Sequence, residues 1–156
     1  MMPEVLAEAA DCVREVLERV VEGVGLPAQV RIEQNQDGVT GEFLGDDLGI
    51  LIGHHGQTID AIQHLAYRIA FRRTEQPVRI VVDAAGYRER RAVALRAAAD
   101  QAAEAAVQDR RPVELEAMTA LERKVVHEHL KARHDVETYS EGQEPDRRLI
   151  VAPLVG

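Results

Sequence analysis

Five consecutive residues in the first half of the chain have the composition of a phosphate-binding loop. Gly53 and Gly56 enclose two imidazole side chains, His54 and His55, and Gln57 follows. A glycine lets a nucleic-acid backbone approach where a Cβ atom would block it. A helical pattern begins directly after the loop, and helix starts present unpaired N–H groups and a positive dipole end. We predict that these residues bind phosphate, although an isolated G-x-x-G also suits a tight turn between helices.

A second set of basic residues lies near the carboxyl end, in a stretch with helical periodicity. Arg123 and His127 are four residues apart and share one helix face, and Lys131 continues that row by another turn. We predict that this row binds a second stretch of phosphates. The neighbouring basic residues in this prediction are Lys124, Arg147 and Arg148. The alternative is a solvated helix face with pairs such as Lys124 and Glu128.

Six histidines among many carboxylates also raise the hypothesis of a metal-dependent enzyme. The spacing disfavours it, because His127 and His129 are two apart on a helix and point about 200° apart. His54 and His55 are adjacent, and Asp60 is the nearest acid in sequence. The chain also lacks a P-loop, a dinucleotide-binding glycine motif and a Gly-x-Ser-x-Gly elbow. We expect no catalysis, no metal site and no cofactor.

The net charge opposes nucleic-acid binding, because phosphate-binding proteins usually carry a basic excess. The chain has 19 Lys and Arg against 27 Asp and Glu, for a formal charge of −8. Most of the acidity lies in residues 1–84. Aromatic residues make up only 3% of the chain and Trp is absent, which disfavours base stacking as the main binding mode. We expect Phe43, Tyr67 and Phe71 in the core.

Cysteine content and hydropathy indicate the compartment. The single cysteine, Cys12, cannot form an internal disulfide or a cysteine zinc site, which favours a reducing environment. No stretch approaches the ~20 consecutive apolar residues of a membrane span. The N-terminal residues lack the basic-then-apolar order of a signal peptide. We therefore expect a cytoplasmic protein.

The elements that position the G-x-x-G loop follow the order α-β-β-α-α-β. Residues 3–23 repeat apolar positions at helical spacing, and two alternating strands, AQVRIEQ and VTGEFLG, flank the turn NQDG. A short apolar turn precedes the loop, a helix follows it, and VRIVVD is a third strand. Residues 1–84 are therefore predicted to form one α/β unit.

Residues 85–156 are predicted to form a second α+β unit, joined to the first through a long Ala- and Arg-rich helix over about residues 86–108. VELEA suggests a short strand. TALERKVVHEHLKAR is predicted as a helix with a capping box at Thr119 and Glu122. VETYSEG and RRLIVAP form a hairpin around GQEPD.

Two segments resemble known domains. ILIGHHGQTIDAIQHLAYRIA resembles the GXXG segment of a bacterial KH domain, most closely that of the Jag (SpoIIIJ-associated) family, also called KhpB or EloR. MTALERKVVHEHLK followed by VETYSEGQEPDRRLIVAP resembles the R-3-H domain that ends these proteins. The resemblance implies that the loop clamps about four single-stranded nucleotides. It also implies that Arg123 and His127 help to bind the strand.

The chain departs from the family at the middle of the loop, where His54 and His55 replace the Lys or Arg common in KH loops. Because imidazole gains a proton near neutral pH, we predict that RNA affinity rises from about pH 7.5 to about pH 6. Family members often carry an extra N-terminal domain. This chain starts directly with the KH helix, so we expect a short form of the family.

The resemblance further implies a non-catalytic protein that binds single-stranded RNA, with single-stranded DNA as a second candidate ligand. It implies roles in RNA regulation, cell elongation and cell-wall synthesis. Its implied partners are a small KH-domain protein and, by association, the membrane insertase. The alternative is a protein-interaction module with little RNA binding of its own, which the acidic first half supports.

Overall fold

The computed structural model describes residues 2–155, and the chain divides into two compact units, Met1–Arg88 and Glu89–Gly156. The elements of the first unit are α1 (Pro3–Val24), β1 (Gln29–Asn35), β2 (Gly38–Leu44), α2 (Gly49–Ile52), a 3₁₀ turn (His54–Gly56), α3 (Gln57–Thr74) and β3 (Ile80–Ala84). The predicted order of this unit is confirmed, with the 3₁₀ turn as an addition inside the loop.

The sheet of the first unit has the order β1-β2-β3. β1 and β2 are antiparallel, and the Asn35 side chain closes their turn by accepting from the Asp37 and Gly38 amides at 2.8 and 3.2 Å. β2 and β3 are parallel, which requires the intervening helices as a crossover. α1 packs on β1 and β2, and α3 packs on β3 and α1.

The core of the first unit forms where the apolar stripe of α1 meets the sheet. Ala9, Val13 and Leu17 recur every four residues, so they share the face that is buried. Phe43 on β2 is completely buried among them, as predicted. Phe71, in contrast, is 45% exposed near the end of α3, so its placement in the core was wrong. It lies one position beyond the buried Ala70, and adjacent helical residues point about 100° apart.

The second unit contains most of α4 (Tyr87–Asp109), which begins two residues before the division, and four further elements. These are β4 (Val113–Ala117), α5 (Ala120–Leu130), β5 (Val136–Glu141) and β6 (Arg148–Pro153). The antiparallel sheet has the order β4-β6-β5, with Thr138 opposite Val151. Buried alanines of α4 pack with Val126, Leu130 and Val151 in a second core. The predicted α+β class is confirmed for both units.

Helix α5 begins with the predicted capping box. The Glu122 amide donates to Thr119 Oγ1 at 3.3 Å, and the Thr119 amide donates to Glu122 Oε2 at 3.2 Å. Glu122 also accepts from Arg91 Nε at 2.8 Å, which fixes the start of α5 to α4. The helix ends at Leu130, before the predicted end at Arg133. Within residues 2–155, no helix is both long and apolar enough to cross a bilayer.

Candidate nucleic-acid interface

The GHHG loop is a strained connection between α2 and α3. Gly53 (φ 75°), His55 (φ 51°) and Gly56 (φ 82°) all have positive φ. His54 is exposed and His55 half-buried, and their rings stack with centroids 3.9 Å apart. The backbone of His55 is thus left-handed, a conformation that is costly for a residue with a Cβ atom. The loop therefore presents the ring of His54 to solvent at the entrance to α3.

The two glycines are required by packing inside the unit. A Cβ atom at Gly53 would lie 2.2 Å from Thr58 Oγ1, and one at Gly56 would lie 2.9 Å from Tyr87 Cε1. Gly56 is itself buried. Sequence reasoning attributed these glycines to close approach of a nucleic-acid strand. In the structure, contacts inside the unit require glycine at both positions, since Thr58 and Tyr87 occupy the space that a side chain would need.

Several amides of the loop donate to carbonyls of the loop or of α2. The Gly53 amide donates to the Gly49 carbonyl at 2.9 Å, and the Gly56 amide donates to the Gly53 carbonyl at 3.4 Å. The Gln57 amide donates to the His54 carbonyl. These contacts leave fewer N–H groups for a phosphate than the sequence suggested. The exposed imidazole of His54 becomes the leading candidate for contact with a ligand.

A second candidate surface is a cleft between α5 and the β5–β6 hairpin, with a volume of about 440 Å³. Its lining is basic at the α5 side and carries hydroxyl groups at the β5 side. The lining residues are Ala120, Arg123, Lys124, His127, Thr138, Tyr139, Ser140, Arg147 and Leu149. Four of the six basic residues predicted from the carboxyl half thus meet in one cleft.

Arg123 lies at the bottom of this cleft and is 7% exposed. Its Nη1 donates to the Met118 carbonyl and, at 3.4 Å, to the Arg147 carbonyl. Its Nη2 donates to Glu144 Oε1 at 2.5 Å. The sequence placed Arg123 in an exposed row of phosphate ligands. In the structure its guanidinium instead joins α5 to the β5–β6 turn, so its first role is to position that turn.

The mouth of the cleft carries two cations, Lys124 and Arg147, and the imidazole of His127. Lys124 is exposed and forms no ion pair with any residue from 2 to 155. His127 Nδ1 forms a hydrogen bond with Thr138 Oγ1, which fixes the ring against β5. Arg147 Nη1 donates to the Gly142 carbonyl at 2.6 Å. Lys124 is therefore the cation with the most freedom to bind a ligand.

Lys131 and Arg148 lie outside the cleft. Lys131 follows the end of α5, and its Nζ donates to Glu128 Oε1 at 3.0 Å. This contact lowers the pKa of the Glu128 carboxyl below its ordinary value. Arg148 forms an ion pair with Glu114 at 2.9 Å. The row from Arg123 to Lys131 is therefore not a continuous exposed surface, because Arg123 is buried and Lys131 is paired with Glu128; its binding to RNA stays a prediction.

Sequence reasoning missed the hydroxyl side of the cleft. Thr138 and Ser140 are two apart on β5, so they lie on the same face of the strand. Tyr139 also lines the cleft and is 46% exposed. The alternation of Thr and Ser beside a basic helix was the available signal. Among residues 2–155, no cluster of three or more His, Cys, Asp or Glu side chains could hold a metal ion.

Two family models match the chain, and together they span both units. The model described as "KhpA/KhpB, KH domain" matches residues 11–82. The model of the R-3-H domain matches residues 93–153. The GHHG loop lies within the first match, and the cleft lies within the second.

Curated relatives named "RNA-binding protein KhpB" are similar over most of the chain. The relative from Clostridium symbiosum is 34% identical over 140 residues, which cover 88% of this chain and 63% of the relative. The relative from Lactiplantibacillus plantarum is 36% identical over 133 residues, covering 85% of this chain and 41% of the relative. The relative from Bacillus subtilis is 28% identical over 152 residues, covering 94% and 73%. The chain thus spans less than two thirds of the length of the first two relatives.

Proposed function

Because this chain belongs to the Jag/KhpB family, in which a KH domain precedes an R-3-H domain, we propose that it binds single-stranded RNA and catalyses no reaction. We assign residues 1–84 to the KH domain and residues 85–156 to the R-3-H domain. The observation that carries the proposal is the cleft in which Lys124, His127 and Arg147 meet two strand hydroxyls. Single-stranded DNA is the second candidate ligand.

The chemistry of the cleft suits a sugar-phosphate strand. The ammonium of Lys124 and the guanidinium of Arg147 attract phosphate oxygens. Ser140 and Thr138 on β5 supply hydroxyl groups that donate to phosphate or accept from a ribose 2′-hydroxyl. His127 is held by Thr138, so its ring enters the interface with little loss of side-chain entropy. These groups contact the sugar-phosphate backbone, so we expect little sequence specificity.

Two modest sites on one chain compensate for the unfavourable charge. The GHHG loop contributes an exposed imidazole, and the cleft contributes two permanent cations. When one site is occupied, the strand is held at high effective concentration near the other. The net negative charge lies mainly in residues 1–84, because residues 85–156 balance most of their acids with Lys and Arg, so the cleft lies in the less negative part of the chain. We expect binding to weaken steeply with salt.

The cleft is tested by measuring fluorescence anisotropy of a labelled oligouridylate with the full chain over a salt series. Lys124→Met should weaken binding by roughly fivefold and reduce the salt slope by roughly 0.7, the value of one phosphate contact to a single strand. Lys131→Met is the matched control, because Lys131 is exposed but paired with Glu128 outside the cleft. Equal effects of the two substitutions would remove the cleft from the interface.

The loop is tested in the same assay with His54→Asp. A carboxylate at this exposed position repels phosphate without entering the core, whereas a change at Gly56 would strike Tyr87. His64→Asp is the control, since His64 is exposed on α3 and the charge change is identical. His54→Asp should weaken binding at least several-fold more than His64→Asp. RNA binding that is unchanged by His54→Asp would exclude the loop.

Family membership supports finer proposals about the cellular role. We propose that the protein acts in the cytoplasm in RNA regulation, cell elongation and cell-wall synthesis, and that it associates near the membrane insertase. Crosslinking of bound RNA in living cells, followed by sequencing, tests the regulatory role. Measuring cell length after deletion of the gene tests the elongation role. If a strain carrying Lys124→Met shows the same change in cell length as the deletion, the elongation role depends on RNA binding.

A small KH-domain protein is the proposed protein partner. Ile50, Leu65 and Phe71 are exposed on α2 and α3 by 45% or more, and such apolar groups favour a protein contact. This observation supports the interaction module as the second candidate function. Co-purification with the wild-type chain, compared with Leu65→Glu, tests it. If the partner is retained by Leu65→Glu, the contact lies elsewhere.

A further inference from the structure

The two edges of the sheet in the first unit differ in whether their outer backbone groups are hydrogen-bonded. At the β3 edge, the Val82 amide donates to Gln63 Oε1 at 2.9 Å, and the Val82 carbonyl accepts from Arg88 Nε at 2.8 Å. The Ala84 amide donates to Asp83 Oδ1 at 2.8 Å. Side chains therefore occupy the backbone groups with which another strand would pair. This edge is closed to strand addition.

The opposite edge, β1, has no such cover. β1 pairs with β2 on one side, and no hydrogen bond joins its outer backbone groups to another segment of residues 2–155. Val30 and Ile32 pack against the core but remain half-buried, since no strand flanks them. An added strand would pair the open backbone groups and cover both apolar side chains. β1 is therefore the edge at which this sheet can grow.

The sequence of β1 selects a partner, because it is complementary to itself. In an antiparallel pair centred on Ile32, Arg31 of each copy lies opposite Glu33 of the other, and Ile32 lies opposite Ile32. The remaining pairs are Gln29 with Asn35 and Val30 with Gln34. From this complementarity we propose that β1 pairs with β1 of a second copy of this chain, forming a continuous six-stranded sheet.

Other registers are less favourable. A shift of the centre to Arg31 or Glu33 places like charges opposite each other, which is destabilising. A slip of the pairing by a single residue, which places Ile32 opposite Arg31 or Glu33, turns the Val30 and Ile32 face of the second copy away from the core side. Like charges therefore disfavour the two neighbouring centres, and the mismatch of faces disfavours the single-residue slips. Arg31 already contacts Glu42 and lies 3.6 Å from Glu33, so this face is organised around opposite charges.

The proposed dimer is expected to be weak and concentration-dependent. One seven-residue strand from each copy is expected to bury less than the roughly 1,200–2,000 Å² of stable interfaces. The dimer would carry two GHHG loops and two clefts, but its formation requires neither to bind RNA. Its failure and the failure of RNA binding are therefore separate results.

Sedimentation equilibrium of the full chain, from about 10 µM to about 1 mM, tests the pairing. The wild type should dimerise at the upper end. Glu33→Arg and Arg31→Glu should each remain monomeric, since like charges then face each other, whereas an equimolar mixture should form a heterodimer. Glu104→Arg, an exposed change on α4 with the same charge difference as Glu33→Arg, should behave as wild type. A monomeric wild type, or a mixture no more associated than its components, overturns the proposal.

Disulfide trapping tests the register independently. Ile32→Cys should oxidise to a covalent dimer, because opposed Cα atoms in an antiparallel pair are about 4.5–5.5 Å apart. Gln34→Cys should not, since its two copies would be separated by about 14 Å along the strands. The native Cys12 is buried and should not contribute. Equal trapping at both positions, or none at Ile32→Cys, contradicts pairing centred on Ile32.

Discussion

Replacing Arg123 by Met separates positioning from binding in the cleft. The Met side chain keeps much of the apolar stem but removes the donors to the Met118 and Arg147 carbonyls. A hydrogen bond from a charged donor contributes about 1.5–3 kcal/mol, and the bond to Arg147 is long. Glu144 is 57% exposed, so its ion pair adds less than about 1 kcal/mol. The free energy of unfolding should therefore fall by about 2–4 kcal/mol.

Calorimetry of the full chain measures this effect. For a unit of this size each kcal/mol lowers Tm by about 4–8 °C, so the transition of the second unit should move down by roughly 8–32 °C. Lys124→Met should leave Tm within about 2 °C and weaken RNA binding. The reasoning is refuted if Arg123→Met unfolds at the wild-type temperature yet loses RNA affinity, because Arg123 would then be a ligand and not a positioning residue.

Three further predictions concern the first unit. Gly56→Ala should lower stability by about 1–3 kcal/mol in thermal unfolding, because its Cβ would meet Tyr87 at a φ of 82°; unchanged Tm contradicts this packing. Burial raises the pKa of the Cys12 thiol above 9.0. Because the unfolded chain then loses this proton more readily than the folded chain, the free energy of unfolding should fall as pH rises past that value. Urea titrations of Cys12→Ala should not show this loss. His54→Asn with His55→Asn should weaken RNA binding in filter binding, because the exposed imidazole of His54 is the leading contact of the loop; unchanged affinity contradicts that contact.

Local signals explain why the element order and the loop could be predicted from the sequence. The apolar spacing of residues 3–23, the NQDG turn and the Thr119–Glu122 capping box each act over a few residues. Such signals survive in the folded chain because the neighbouring residues are always present. The location of the GHHG loop between two helices follows from the same local pattern.

Contacts between distant residues explain what the sequence could not predict. Arg123 is buried because the β5–β6 turn, some 20 residues further on, supplies Glu144 and the Arg147 carbonyl. Gly56 is required by Tyr87, which lies beyond β3 in the sequence. Helical periodicity places Arg123 and His127 on one face but does not show how deeply either side chain is buried. The cleft therefore had to be read from the tertiary structure.

Amide and side-chain chemical shifts during titration with an oligoribonucleotide, at low salt, test the central claim most directly. We predict selective shifts at residues 53–57 and at Lys124, His127 and Thr138, with β1 and α4 unaffected at low protein concentration. If saturating RNA shifts none of these resonances while the chain stays folded, the loop and the cleft do not form the RNA-binding surface.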